Sequence, residues 1–305
     1  MKWTIHRLKA SAENQSQRLD IFLSENCPDL SRTFAKKIID LGGVHVNGRR
    51  VRSCSLQVQS GDGIEVYIDH FPVDPFRISA ADIIFQDKFL IVLNKPALVD
   101  TQPTHARYKG TLYEAMLWHL KEPFRPQQKP EIGMIQRLDR GTSGLIVFSI
   151  HPRAHKKMTE IFVEHQVEKR YLALVDGAPE KRQAEIRSLL ARTRKENKVK
   201  SVKKGGKEAI TRFQVVDLFK NAALLDVNLL TGRSHQIRAH MSEQGHPLLG
   251  DDRYGGPTQL SGMTFQRPLL HAARLAFAHP VTGEALEFTA PLPADMQATI
   301  GTLKK

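Results

Sequence analysis

One carboxylate stands out in the stretch 135–149, IQRLDRGTSGLIVFS. Asp139 lies between Arg137 and Arg140, ahead of a Thr-Ser-Gly turn and an apolar run. Neighbouring guanidinium groups favour the ionised form of a side chain whose reference pKa is already about 3.9. An ionised aspartate can act as a nucleophile, a metal ligand or an ion-pair partner, and it is a poor general acid. Taken alone, the stretch fits an ordinary surface ion pair as well as a reactive site. Metal chemistry finds little support, because His235, His240 and His246 do not form His-Glu-x-x-His and no Asp-rich calcium loop occurs. A glycoside hydrolase needs a second carboxyl group to protonate its leaving group, and none is adjacent in sequence. No dinucleotide fingerprint or P-loop is present, since KKGGK lacks the spacing and the trailing Ser or Thr. Neither a metal nor a small-molecule cofactor is expected.

Two further stretches hold polar side chains of the kind that could serve such a carboxylate. LLTGRSHQIRAHM, 229–241, sets Arg233, His235 and Arg238 around a strand-to-helix junction, with Ile237 and Met241 four apart on the neighbouring apolar stripe. VEKRYLALV, 167–175, places Tyr171 in a strand, alternating with Leu172. Each has an ordinary reading: a strand tyrosine in the core, arginines solvated on a helix.

The elements that must position these residues follow from periodicity. SGLIVFS, 143–149, reads as a buried strand, so Asp139 sits at a strand edge, where functional residues concentrate. Paired short strands are expected in DIIFQDKFLIVLNKP, stopped by Pro96, and a helix in GTLYEAMLWHL. AHKKMTEIFVEH should be a helix with Met158, Ile161, Phe162 and His165 on one side. KRYLALV is a strand, AITRFQVVDLF and AALLDVNLL form a hairpin about Lys220-Asn221, and SHQIRAHMSEQG is a helix closed by Gly245. Hairpins interleaved with helices, without a regular βαβ rhythm, predict an α+β fold with a mixed, mainly antiparallel central sheet flanked by helices.

A smaller unit is expected at 16–68. SQRLDIFLSENC spaces Leu19, Phe22 and Leu23 helically behind Ser16 as cap, and Ser31 caps a second helix that Gly42 ends. Asn47-Gly48 then marks a hairpin. Arg32 and Lys36 lie one helical turn apart, and Arg49, Arg50 and Arg52 follow the hairpin turn. The proline-bearing stretch 69–80 reads as a linker, leaving 81–305 as the second domain. The basic run 192–207, RTRKENKVKSVKKGGK, reads as a solvated loop or a flexible arm able to meet phosphates.

Composition points the same way. The 305 residues carry 45 Lys and Arg against 32 Asp and Glu, a net +13 that favours polyanions. No apolar run approaches the ~20 residues that span a bilayer, and no basic helix is studded with Trp or Phe, which disfavours a membrane partner. The N-terminus lacks the apolar core of a signal peptide, and two cysteines, Cys27 and Cys54, suit a reducing cytosol rather than a disulfide scaffold. A cytoplasmic monomer that binds RNA is expected.

The three stretches, in this order, resemble the RluA-type pseudouridine synthases. That family's central motif, His-Arg-Leu-Asp-x-x-Thr-Ser-Gly, runs here from Gln136 to Gly144. Its Lys-x-Tyr-x-Ala motif matches Lys169 to Ala173, and Thr-Gly-Arg-x-His-Gln-Ile-Arg matches Thr231 to Arg238 in full. VLNKPA (92–97), GHPLLGDDRYGG (245–256) and LLHAARLAFAHPVTGE (269–284) add to the likeness, which covers roughly 81–305. Residues 16–68 resemble the RNA-binding module first described in small-subunit ribosomal protein four. Two departures stand out: Gln136 replaces the usual His, and ALVDTQPT (97–104) lacks the glycine and Val-His-Pro that usually follow Asn-Lys-Pro-Ala.

The resemblance implies isomerisation of uridine to pseudouridine in structured RNA, most of all large-subunit ribosomal RNA. It implies Asp139 as the catalytic carboxylate on a flipped-out nucleotide, Arg238 as its ionic partner, and Tyr171 stacked on the base and aiding loss of the carbon-five proton. Arg137 would fill the space the base vacates, with Arg233, His235, Arg32, Lys36, Arg49 and Arg50 meeting RNA. A non-catalytic RNA-binding or ribosome-assembly factor on the same scaffold is the alternative. A nucleoside glycosidase would release free uracil and need a second carboxylate.

Overall fold

The computed structural model describes residues 3–71, 76–121, 127, 129–193 and 198–304. The chain forms two compact units: Met1–Ile78 with Asp100–Gln128, and Ser79–Val99 with Lys129–Lys305.

The first unit contains β1 (Thr4–Lys9), α1 (Leu19–Asn26), α2 (Arg32–Leu41), β2 (Val44–Val46), β3 (Arg49–Val51), β4 (Gly63–Ile68) and α3 (Leu112–His119). Its four strands pair antiparallel in the order β1-β4-β2-β3. The two helices and the sheet enclose Leu19, Phe22, Leu23, Ile38, Ile39, Val44, Ile64 and Val66. Ser31 caps α2 by accepting from the Phe34 N–H, Gly42 ends it at φ 89°, and Asn47 and Gly48 turn the hairpin at φ 50° and 74°.

Ser16, in contrast, does not cap α1. It turns at φ 63°, and Arg18 occupies the cap position without a side-chain bond. The reason is tertiary: the carbonyls of Leu56 and Cys54 accept from the N–H groups of Leu19 and Asp20, so the helix start is satisfied by backbone.

This unit is also larger than 16–68. Strand β1 adds an edge before it, and 100–121 packs on it from far along the chain. Arg107 makes two bonds of 2.7 and 2.8 Å to buried Asp69, Tyr108 and Lys109 donate to the Leu41 carbonyl, and the His45 ring bonds the His105 carbonyl. The expected linker therefore begins with a buried ion pair; its centre, 72–75, lies outside the described residues.

The second unit contains β5 (Ile83–Gln86), β6 (Leu90–Lys95), β7 (Gly133–Met134), β8 (Ser143–Ser149), α4 (Pro152–Val163) and β9 (Val167–Asp176). It continues with β10 (Gln183–Arg192), β11 (Val199–Ser201), β12 (Lys207–Leu218), β13 (Ala222–Leu229) and α5 (Gln236–Glu243). The hairpin β14 (Gln259–Leu260) and β15 (Met263–Thr264), then β16 (Leu270–Ala278), β17 (Ala285–Thr289) and α6 (Ala294–Leu303), complete it. The main sheet runs β11-β10-β12-β13-β9-β16-β8-β6-β5, with β17 beside β16 and β7 beside β8. Pairing is antiparallel except between β16 and β8, where Gly144 at φ 107° allows the close approach. A Cβ there would lie 2.2 Å from the Ala272 carbonyl oxygen.

Strand β8 is buried along its whole length, as a strand in the middle of a sheet should be. Helix α4 lays Ala154, Met158 and Ile161 against Leu145, Val147 and Leu275. It stops at Val163, so His165, at φ 58°, falls beyond the helix rather than on its apolar side. The basic run is not a loop throughout. Its ends pair as β10 and β11, Arg192 opposite Val199, because Val199 turns into a small core with Leu190 and Tyr254. Residues 194–197 lie outside the described residues.

Candidate active site

Asp139 sits in the turn before β8, and that turn is fixed by its own peptide groups. The Thr142 N–H donates to the Asp139 carbonyl at 3.0 Å and the Leu98 N–H to the Arg140 carbonyl at 2.7 Å. Two buried cations grip the same backbone. Lys95, at the end of β6, donates to the carbonyls of Pro96 and Val99 and at 3.5 Å to that of Arg140. Arg267 donates to the Gly141 carbonyl at 2.9 Å while its other nitrogens hold Asp295 of α6 at 2.7 and 2.9 Å. A functional side chain on a turn needs such support if it is to be pre-organised.

Helix α5 supplies the counter-charge. Arg238 donates to Asp139 Oδ2 at 3.0 Å and clasps Asp251 with two bonds of 2.6 and 2.8 Å. Its face also lies over the Tyr254 ring, 4.9 Å from the centroid. Asp251 has no exposed surface and Arg238 only 8 %, so the guanidinium is immobilised between an acid that is spent and one that reaches outward. The turn leading into α5 is tied by Gln236, which accepts from Thr231 Oγ1 and the Arg233 N–H and donates to the Ile210 carbonyl and Thr211.

His235 precedes the helix at φ 52°, a strained backbone for a non-glycine residue. Its Nε2 stands 3.8 Å from Asp139 Oδ2, and its Nδ1 is 2.9 Å from the Tyr254 hydroxyl. That hydroxyl accepts from the Val199 N–H at 2.8 Å, which ties Tyr254 to β11. Burial pushes His235 down to about 4, so at neutral pH the ring is uncharged.

Burial by itself would raise the Asp139 carboxyl. The positive charges of His235 when protonated, of Arg238 and of Arg137 outweigh it and hold the group below the ordinary carboxylate range. At neutral pH Arg238, with Arg137 behind it, carries that effect. Tyr171, on β9 between Val227 of β13 and Ala272 of β16, is pushed well above the ordinary phenol value, first by burial and then by the Asp139 charge. It is a protonated hydroxyl at any working pH. The site thus joins one ionised carboxylate, its fixed cation, and a neutral phenol and imidazole.

The remaining RNA-facing candidates are scattered. Arg137 is exposed and donates to Ser234 Oγ at 2.8 Å, and Arg233 donates through Nε to the Glu208 carbonyl. In the first unit Arg32 and Lys36 flank buried Asp20, and Arg49 is exposed with no partner among the described residues. Arg50 turns inward, donating to the Thr104 carbonyl and resting near the Tyr108 ring. Asp251, Tyr254, Lys95 and Arg267 had no role in the sequence reading, although GDDRYGG, an acidic pair in a glycine-rich turn, was a signal for the first two. Among the described residues no three His, Cys, Asp or Glu side chains are grouped to hold a metal ion, and no helix is long and apolar enough to cross a membrane.

A family model described as RNA pseudouridylate synthase matches residues 89–243, and one for the S4 domain matches 17–64. A ribosomal large subunit pseudouridine synthase D of Zymomonas mobilis is 36% identical, with 92% of each chain covered. An uncharacterised RNA pseudouridine synthase of Bacillus subtilis is 33% identical over 98% of each. In fold, the chain is similar to the human RNA pseudouridylate synthase domain containing 4, with a TM-score of 0.59 and 23% identity over 73% of this chain and 92% of that one.

Proposed function

The chain belongs to the RNA pseudouridylate synthase family, and we propose that it converts specific uridines of large-subunit ribosomal RNA to pseudouridine with Asp139 as the catalytic carboxylate. The observation that carries this reading is the single guanidinium of Arg238 shared between Asp139 and a fully buried Asp251.

The reaction breaks the bond from ribose C1′ to uracil N1 and makes one from C1′ to C5; N1 gains a proton and C5 loses one. Uracil is never released and no water is consumed, so the site needs little beyond an ionised carboxylate, a means of holding it and a surface for the base. The target leaves its stack at a cost of about a few kcal/mol. Asp139 then meets the sugar, as a nucleophile at C1′ or as a base toward the 2′ carbon, and Arg238 keeps it charged and aimed in either case. Tyr171 packs on the base and presents a neutral hydroxyl. Its raised pKa means that it serves no standing phenolate role and can take the C5 proton only as its own proton moves on. Arg137 fills the vacated stack through its planar cation.

The relative named ribosomal large subunit pseudouridine synthase D supports the choice of RNA, and the S4 match supports a binding role for 17–64. We place the enzyme in the cytoplasm, working as a monomer. A glycosidase reading meets an obstacle in the geometry: Asp251, the carboxylate that shares Arg238, has both oxygens accepting from that guanidinium and cannot serve as a proton donor.

Pseudouridine mapping across total RNA with and without the gene tests the proposal. Loss of one or a few sites in large-subunit ribosomal RNA is the expected result. An unchanged map in all RNA would overturn it, and free uracil from a defined RNA would point to the glycosidase.

A further inference from the structure

Lys169 lies on β9 two residues before Tyr171, and the alternation of that strand puts both side chains on one face. It is only 7 % exposed, and among the described residues no carbonyl, hydroxyl or carboxylate accepts from its ammonium group, whose nitrogen keeps some access to solvent. Its Nζ lies under the Thr231-Gly232-Arg233 turn, 3.8 Å from where a Cβ on Gly232 would stand. That turn carries Arg233, whose Nε is used by the Glu208 carbonyl while its two terminal nitrogens have no partner among the described residues. The Glu208 carboxylate is itself taken by Arg187 at 3.3 Å.

An ammonium so nearly enclosed, with no protein acceptor, loses part of its solvation without compensation. Here a second cation lies close by, which adds repulsion. Burial first and Arg233 second push Lys169 down to about 8, so it remains largely charged at neutral pH. His165 is also pushed down, by burial and then by Lys169 and Arg233. Two cations held this close, one nearly enclosed and neither using all its donors on protein, suit an anion.

We propose that Lys169 and Arg233 form a subsite for a backbone phosphate next to the target uridine, seating the nucleotide whose base packs on Tyr171. This rests on the RNA reading above. A bridging phosphodiester would accept from the Lys169 ammonium and the free arginine nitrogens together, replacing repulsion with two charge-assisted bonds.

The test uses a short RNA containing the mapped target uridine, with a neutral methylphosphonate placed on its 5′ or its 3′ side in turn. Single-turnover conversion and KM are measured for the full-length wild type, Lys169→Met, Lys169→Arg and Arg233→Met. Lys169→Met should raise KM roughly 10–100-fold, leave kcat within a few-fold and leave or raise Tm. Lys169→Arg should recover part of the loss. One of the two methylphosphonates should weaken the wild type to a similar extent and have no further effect on Lys169→Met; which one identifies the phosphate. If the losses multiply at both linkages, or if Lys169→Met lowers kcat at constant KM, the subsite is wrong. Arg233→Met gives the same cycle should Lys169→Met fail to fold. A wild type inactive on every RNA would instead sink the functional reading itself.

Discussion

Each unit of the molecule surrounds an aspartate with arginine, and the two arrangements are inverted. In the first unit Asp20 is the buried partner, its side chain 0% exposed, while Arg18, Arg32 and Lys36 around it are 43%, 52% and 50% exposed. In the second unit the cation is the buried partner, with the Arg238 side chain 9% exposed and that of Asp139 at 23%. The first arrangement anchors the roots of three cations and leaves their charge in solvent, where it can meet phosphates along an RNA backbone. The second fixes a cation so that an acid is held ionised and turned outward. Under the proposed function the same residue types would supply affinity in one unit and chemistry in the other, with burial deciding which.

The largest test of that contrast is Asp139→Asn. Conversion should fall by roughly 10²–10⁴-fold or more, while RNA affinity changes by no more than a few-fold; conversion at the wild-type rate would remove Asp139 from the chemistry. Tyr171→Phe comes next. Among the described residues its hydroxyl makes no hydrogen bond that phenylalanine would lose, so the variant should fold and bind RNA normally. Turnover should drop by about 10²-fold, and unchanged turnover would reduce Tyr171 to a packing residue.

Removing one cation from each unit sharpens the contrast further. Arg238→Met leaves Asp251 buried without a partner, and should cost about 3–5 kcal/mol in denaturant unfolding. Arg32→Met should cost no more than about 1 kcal/mol and reduce the salt slope of RNA binding by about one. Equal stability losses would mean that burial is not the deciding variable. The pH profile adds a sign. The folded-state pKa of Asp139 is depressed, so its ionisation contributes stability above the unfolded value of about 3.9, lost as pH falls through the lower folded value. Losing Arg238 raises the folded pKa, and the acid limb of kcat/KM should move to higher pH.

Much of the placement of the candidate site was legible in the sequence because motif spacing carries it. Asp139, Tyr171 and Arg238 each sit in a stretch whose element type is readable from periodicity, so the strand edge, the strand and the helix start all follow. What escaped was set by tertiary contact. Asp251 owes its role to having no exposed surface and to an arginine thirteen residues before it on another element. The missing cap at Ser16 depended on carbonyls near residue 55, and Arg50 was drawn inward by a segment more than fifty residues further on. That segment, 100–121, joins the first unit through Arg107 and Asp69, an ion pair no local pattern announces. Deleting 1–70 would therefore expose the buried face of 100–121, and single charge changes such as Arg32→Met probe RNA affinity more cleanly.

The smallest effect concerns Gln136, which stands where the family motif has histidine. Its Nε2 is buried and has no hydrogen-bond partner among the described residues. An amide donor left in that state costs about 1–3 kcal/mol, and it lies three residues before Asp139. Methionine has a similar length and no donor, so Gln136→Met should stabilise the protein by about 1 kcal/mol and leave single-turnover conversion within about twofold. The turn does not depend on the amide, because Lys95 and Arg267 hold its carbonyls instead. If conversion falls while stability rises, the unsatisfied donor is reserved for the RNA, and Gln136 joins Asp139 as a group whose partner arrives with the substrate.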